Sequence, residues 1–403
     1  MQKFSFGQKV ATLSALSLAT IAGFTPAQAY PANWWTYSPS SSSWSYQPAA
    51  SSFTPAASNS RAADPSSSTA DSDGDGIPNS WETNGYDYNG DGQVDLDFPA
   101  WGANPNKKDL FVEMDYMPGL LASQSELDTI VRTFANYPVN NPDGSRGINL
   151  HLDAGDAYAK YDLGGGNEID YQALRNEQTV GQLRQENSDP ARNGIFHYMV
   201  FGDYYTDAPG SSGIAQIDGL NFAVTLGPQY WGNNVSSNTY VGTFIHELGH
   251  NLGLYHGGDD DVNFKPNYFS IMNYRYQIQG VPRTDGSKYF GYSTQQYDTL
   301  NEHAIHEENG LGANSHGFLY DYDSRAVADA PIDFNDNGTI DNGAVQTDVN
   351  NDGELGRLTA QNDLAAIRFQ ARAHQGYRYS VERPEVTKNE LTADMAREHG
   401  LLD

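Results

Sequence analysis

The 403-residue sequence contains no cysteine. That excludes disulfide scaffolds, thiol nucleophiles, cysteine-ligated zinc and iron–sulfur clusters together. Positive charge is scarce, with 23 Lys+Arg against 51 Asp+Glu and a formal net charge of −28. No window gathers a basic patch, which argues against nucleic acid or an anionic membrane surface as the main partner. Long apolar runs are missing as well, apart from residues 10–24, which fall short of the roughly 20 residues a spanning helix needs. Lys3 and Lys9 precede that run and Ala27-Gln28-Ala29 follows it. This is the three-part layout of a secretory signal peptide at residues 1–29, so export and cleavage after Ala29 are expected, with no membrane segment left in the mature protein. Cleavage removes two lysines and no acid, taking the charge from −28 to −30.

The chain is long enough for two to three domains and a sizeable core. Residues 30–70 are rich in Ser, Pro and Ala with Trp34, Trp35 and Trp44 interspersed, and carry only Arg61 and Asp64 as charges. That composition reads as a linker or a pro-segment. An Asp-rich segment follows at 71–106. From 107 to 300 short strands alternate with helices, and 301–403 forms a C-terminal part with further Asp-rich loops. Residues 109–115 read as a buried strand. Residues 123–137 have helical periodicity through Leu127, Ile130, Val131 and Phe134, with Ser123 as N-cap. Strands are expected at 147–152, 195–204 and 220–226. The last is expected to be an edge able to pair with an extended peptide.

One helix then carries the chemistry. Residues 243–256 read TFIHELGHNLGLYH, an H-E-x-x-H-x-x-G-x-x-H pattern made by His246, Glu247, His250, Gly253 and His256. His246 and His250 stand four apart and project from one helix face, so both imidazoles reach one zinc ion. Val241, Ile245, Leu248 and Leu252 form the apolar stripe that buries this helix. Gly253 permits the left-handed turn that ends it and brings His256 back as third ligand. Three neutral imidazoles leave a fourth position open, as in catalytic sites, and Glu247 is placed to act as general base on a zinc-activated water. His151, His197, His303, His306, His316, His374 and His399 have no such spacing and read as structural or surface residues.

Beyond His256 stands Ser270-Ile-Met272-Asn-Tyr274. The long zinc motif followed by this methionine turn resembles the metzincin family of zinc endopeptidases. The resemblance covers about residues 109–276. It implies an α+β fold with a mixed twisted sheet, an active-site helix and a long helix behind it. It also implies that Met272 forms the floor beneath the metal and that Tyr274 ligates zinc or hydrogen-bonds the oxyanion. Gly257-Gly258 followed by Asp259, Asp260 and Asp261 departs from the Pro, Asp or Ser that the best-known branches place there. The subfamily stays open, with a bacterial pappalysin-like branch as the candidate.

The remaining acids fall into loops. Asp71, Asp73, Asp75, Gly76, Asn79 and Glu82 match the calcium-loop template through its closing acid. Asp87, Asn89, Asp91, Gly92 and Asp95 repeat the early positions but place Phe98 where that acid belongs, with Asp97 as the substitute. Asp333, Asn335, Asn337, Gly338 and Asp341 repeat the spacing again, as do Asp348, Asn350, Asp352 and Gly353. These loops resemble thrombospondin type 3 repeats. The expected inventory is one catalytic Zn2+ and two to four structural Ca2+. The expected protein is a secreted, extracellular zinc endopeptidase acting on protein or peptide substrates. A calcium-dependent matrix-binding module with a vestigial protease site is the alternative, against which the intact Glu247 argues.

Overall fold

The computed structural model describes residues 70–322, 325–369, 385–387 and 390–402, with the backbone of two strands nearer the N-terminus. The expected export signal at residues 1–29 lies outside these residues. The chain divides into two compact units, residues 1–62 and 63–403. In the first, β1 (Trp35–Ser38) and β2 (Ser43–Tyr46) pair antiparallel, with Trp35 opposite Tyr46. A hairpin thus stands inside the stretch whose composition suggests a linker. Trp and Tyr favour strands, which outweighs the surrounding Ser and Pro locally.

In the second unit, α1 (Asn79–Asn84) and α2 (Phe98–Trp101) follow the first two Asp-rich loops. The chain then enters β3 (Asp109–Tyr116), buried at every position although Asp109, Glu113 and Asp115 interrupt its apolar residues. α3 (Gln124–Ala135) starts with a capping box in which Glu126 accepts the Ser123 N–H at 2.7 Å. Its Leu127, Ile130 and Phe134 are buried, the stripe read from the sequence. β4 (Asn149–Asp153), α4 (Glu177–Asn187), β5 (His197–Phe201), β6 (Gly213–Ala215) and β7 (Asn221–Val224) complete the layer. The sheet order is β4-β3-β5-β7-β6, with four parallel strands and β6 antiparallel to β7.

This order corrects the expectation for residues 220–226. β7 lies between β5 and β6 and is no edge; the edge is the three-residue β6. Gly213-Ile-Ala215 is too short to show alternation, so periodicity gave no warning of it.

After α5 (Pro228–Trp231), the 15-residue α6 (Ser237–Asn251) packs against β6, β7 and α3. Its Val241, Ile245, Leu248 and the following Leu252 all join the main core. β8 (Val281–Pro282) pairs with β9 (Lys288–Tyr289). Two further short pairs are nested: β10 (Leu300–Asn301) with β13 (Arg357–Leu358), and β11 (Ile305–His306) with β12 (Ala344–Val345). α7 (Asp363–Ala366) and α8 (Ala393–Glu398) follow. No helix among the described residues is long and apolar enough to cross a membrane.

Candidate active site and metal centre

α6 is capped by Ser236, whose hydroxyl accepts the Thr239 N–H at 3.1 Å, and every residue from 241 to 251 is buried. His246 and His250 stand one turn apart with ring centroids 4.7 Å from each other. Gly253, at φ +90°, takes the left-handed conformation that residues with a Cβ resist, and the chain doubles back. His256 thereby comes to 5.5 Å from the His246 ring and 4.8 Å from the His250 ring. Asn251 anchors the helix to the sheet: it donates to the carbonyls of Gln216 and Asn221 and meets the buried His197 at 3.0 Å.

Hydrogen bonds fix how two of the imidazoles are presented. His246 Nδ1 lies 3.0 Å from the Ile271 carbonyl, and His250 Nδ1 lies 2.7 Å from the Leu254 carbonyl. A carbonyl only accepts, so each ring carries its proton on Nδ1 and offers the Nε2 lone pair. The two Nε2 atoms are 3.0 Å apart. Facing lone pairs at that distance repel unless a cation stands between them. Tetrahedral zinc with bonds of about 2.0–2.1 Å sets its ligands roughly 3.3 Å apart, so this donor set fits zinc. His246, His250, His256 and Glu390 form one buried group of potential ligands.

Met272 is fully buried, and a Cβ on Gly249 would lie 2.3 Å from its sulfur. The methionine turn therefore presses directly on the helix between the two histidines, and only glycine leaves room for it. Glu247 is fully buried, and neither carboxylate oxygen has a hydrogen-bond partner. Burial, with a further push from the Glu390 charge, raises its pKa well above the usual range. A Cβ on Gly213 would stand 2.4 Å from Glu247 Oε1, so β6 must carry glycine where the carboxylate passes. The Tyr274 hydroxyl lies 3.0 Å from His256 Nε2. Burial first, then Glu390 and Glu247, holds its proton on by raising its pKa well above 10.

Glu390 was not foreseen from the sequence. Its Oε2 lies 3.3 Å from His246 Nε2 and 3.4 Å from His256 Nε2, and its Oε1 lies 3.5 Å from His250 Nε2. It also accepts the Tyr274 hydroxyl at 3.2 Å. Burial opposes its charge, but the three histidines outweigh burial and hold its pKa well below the usual range.

The Asp-rich loops are built alike around their first acid. Asp71 accepts the N–H groups of Gly74 and Gly76, and Asp87 those of Gly90, Asp91 and Gly92. Asp333 accepts from Asn337 and Gly338, and Asp348 from Asp352 and Gly353. Their interiors differ. In the first loop Asp73, Asp75 and Glu82 are buried, both Glu82 oxygens lack a partner, and Asp109 joins from the start of β3. Burial and the neighbouring acids push Asp73 up to about 6, Asp75 to about 8 and Glu82 to about 9. Asn79 is turned inward to accept the Ser72 N–H at 2.9 Å.

In the exposed second loop Asp95 accepts the Tyr88 N–H at 2.8 Å and lies 3.5 Å from the Asn89 amide. Asp97, read as the substitute closing acid, caps α2 by accepting the Ala100 N–H at 3.1 Å, while Phe98 is fully buried. In the third, the Asn335 and Asn337 amides donate to Asp341, and in the fourth Asn350 donates to Asp352. Each of these two loops is closed by an upstream buried glutamate. Glu307 accepts from Phe334 and Asp341, and Glu302 from Val349 and Gly356.

Residues 137–257, from just after α3 to one residue beyond the third histidine, match the model of a family described as Metallo-peptidase family M12B Reprolysin-like. With the three converging imidazoles, this match supports a zinc metalloprotease, on a mixed α+β fold compatible with a metzincin-type zinc site. The protein is accordingly a metalloendopeptidase, a hydrolase of protein or peptide substrates. The match accords with the metzincin resemblance of the sequence, which left the subfamily open. No curated protein matches the chain.

Proposed function

We propose that the protein is a secreted, calcium-stabilised zinc endopeptidase in which Glu247 is the general base. The observation that carries this reading is the buried Glu247 carboxylate, free of partners on both oxygens, on the helix turn that holds His246 and His250. A buried carboxylate without a partner costs stability, and a structural role would have satisfied it. Zinc held by His246, His250 and His256 would supply Lewis acidity toward the scissile carbonyl and the attacking water. Glu247 then takes a proton from that water and returns it to the leaving amine. Tyr274, kept protonated by burial, donates to the oxyanion of the tetrahedral intermediate.

Calcium in the first Asp-rich loop accounts for Glu82, whose two bare oxygens lie buried among Asp75 and Asp109. Bound there, it ties the loop to the first strand of the catalytic sheet and stabilises a chain without disulfides by linkage. The signal-peptide layout at residues 1–29 supports export to a calcium-rich medium.

Zinc content and casein cleavage, measured on the unmodified chain and on Glu247→Ala, test this reading. Zinc in both, with turnover lowered by about 10²–10⁴ in the variant, is expected. Equal cleavage by two zinc-loaded proteins would remove Glu247 from the mechanism. Zinc in both with no cleavage by either, even when Glu390 is also replaced by Gln, would favour the matrix-binding alternative.

A further inference from the structure

We infer that residues 385–387 and 390–402 form an internal plug: these parts of the chain's own C-terminal segment lie in the substrate cleft, and Glu390 supplies the fourth ligand to the metal. This rests on the zinc-endopeptidase reading and adds a regulated state to it.

The first observation is backbone pairing. β6 ends the sheet, and its outer side would otherwise present unpaired N–H and C=O groups. The C-terminal segment takes them. Ile217 N–H donates to the Glu385 carbonyl at 2.7 Å, and Thr387 N–H to the Ala215 carbonyl at 3.0 Å. Further along, Ser212 N–H donates to the Leu391 carbonyl at 2.8 Å, and Ala393 N–H to the Gly210 carbonyl at 2.9 Å. Gln216 bridges Val386 and Ser211 bridges Thr392, both antiparallel. This is how an extended peptide adds a strand to a sheet edge.

The second observation is where Glu390 falls. It sits between those bridges and faces the metal-binding nitrogens, 3.3–3.5 Å from all three imidazoles. Those separations match the roughly 3.3 Å expected between ligands sharing one tetrahedral zinc. The carboxylate thus stands where a substrate carbonyl or the attacking water must come. The third observation is that the segment continues past the metal and is fastened there. His399 stacks on Phe264 at 4.0 Å, Gln279 donates to the Leu401 carbonyl at 2.7 Å, and Arg397 donates to the Tyr230 carbonyl at 3.1 Å. Its own Leu391, Ala393 and Ala396 are buried.

A carboxylate tethered to the same chain acts at an effective concentration of about millimolar, so peptides at micromolar levels compete poorly for the metal. The protein folds latent, and cleavage requires the segment to leave β6.

The full-length chain carrying Glu390→Gln, and separately Thr387→Pro, tests this after loading with zinc or with cobalt as a visible probe. Glu390→Gln should change the cobalt absorption spectrum and tighten acetohydroxamate binding, measured by calorimetry, on the order of tenfold or more, because a charged ligand no longer competes. Thr387→Pro removes one backbone donor to β6 and should tighten hydroxamate binding by a smaller factor. Metal bound in all three proteins, with identical spectra and identical hydroxamate affinities, would overturn the plug and leave the protease reading standing. Failure to bind zinc or cobalt in any form would overturn both.

Discussion

Two groups of buried acids in this molecule have been given opposite surroundings. Glu390 lies among three imidazoles and a tyrosine hydroxyl, whereas Asp73, Asp75 and Glu82 lie mainly among one another. Burial favours the neutral acid in both places. At the metal centre the histidines outweigh burial and lower the pKa of Glu390, while in the loop the neighbouring acids add to burial and push Glu82 up to about 9. The difference teaches what each place lacks. The metal centre already holds an anion for its cation, supplied from the far end of the chain. The loop holds the anions and must import the cation.

The largest effect should come from the one acid at the metal centre that neither balance includes. Glu247→Gln keeps shape and removes the proposed base, so kcat should fall by about 10²–10⁴ with zinc content unchanged, read by steady-state kinetics and metal analysis. A loss of zinc instead would mean that Glu247 belongs to the charge balance after all.

The next effect belongs to the loop. Removing calcium with a calcium-selective chelator should lower the melting temperature by several degrees while zinc remains bound. In the chelated protein Glu82→Gln should recover part of that loss, because the cost of keeping a buried carboxyl protonated at neutral pH is gone. If Glu82→Gln lowers the melting temperature of the chelated protein further, the acids of this loop are not waiting for a cation.

A pH series sharpens the contrast. With folded pKa values near 8 for Asp75 and 9 for Glu82, the calcium-free folded state holds protons that the unfolded chain releases near pH 4. The folded state therefore binds more protons across that window, and stability falls as pH rises from about 5 to 8. Calcium should abolish the slope, a result that thermal melts with and without calcium would show. The smallest effect is expected in the third loop, whose Asp341 is already met by the amides of Asn335 and Asn337. Asp341→Asn should change stability by about 0.5 kcal/mol or less in chelator, against a larger change for Glu82→Gln.

Legibility in the sequence followed how local each signal was. β3, the capping box and apolar stripe of α3, and the buried face of α6 were all readable, because period and caps are properties of neighbouring residues. His246, His250, Gly253 and His256 were readable for the same reason, since helix and turn geometry bring them together. β6 was not, because three residues carry no pattern, and the edge was assigned to β7 in its place. α4 escaped because its Glu177–Asn187 span is mostly polar, with Val180 and Leu183 as its buried apolar residues. Glu302 and Glu307 were missed because they reach their loops from upstream, outside the span in which a closing acid is sought. Glu390 had no signal at all: it is one acid of 51, and its partner His256 lies 390 − 256 = 134 residues away. The pairing that delivers it runs along the strand the sequence did not reveal.

The central claim is that three histidines and Glu247 make a peptide-cleaving centre. Its most direct test compares casein cleavage by zinc-loaded Glu390→Gln with that by the Glu247→Gln/Glu390→Gln double variant, which sets the tethered carboxylate aside in both. The account predicts zinc in each and turnover lower in the double variant by about 10²–10⁴. Equal turnover in the two, with zinc confirmed in each, would contradict it.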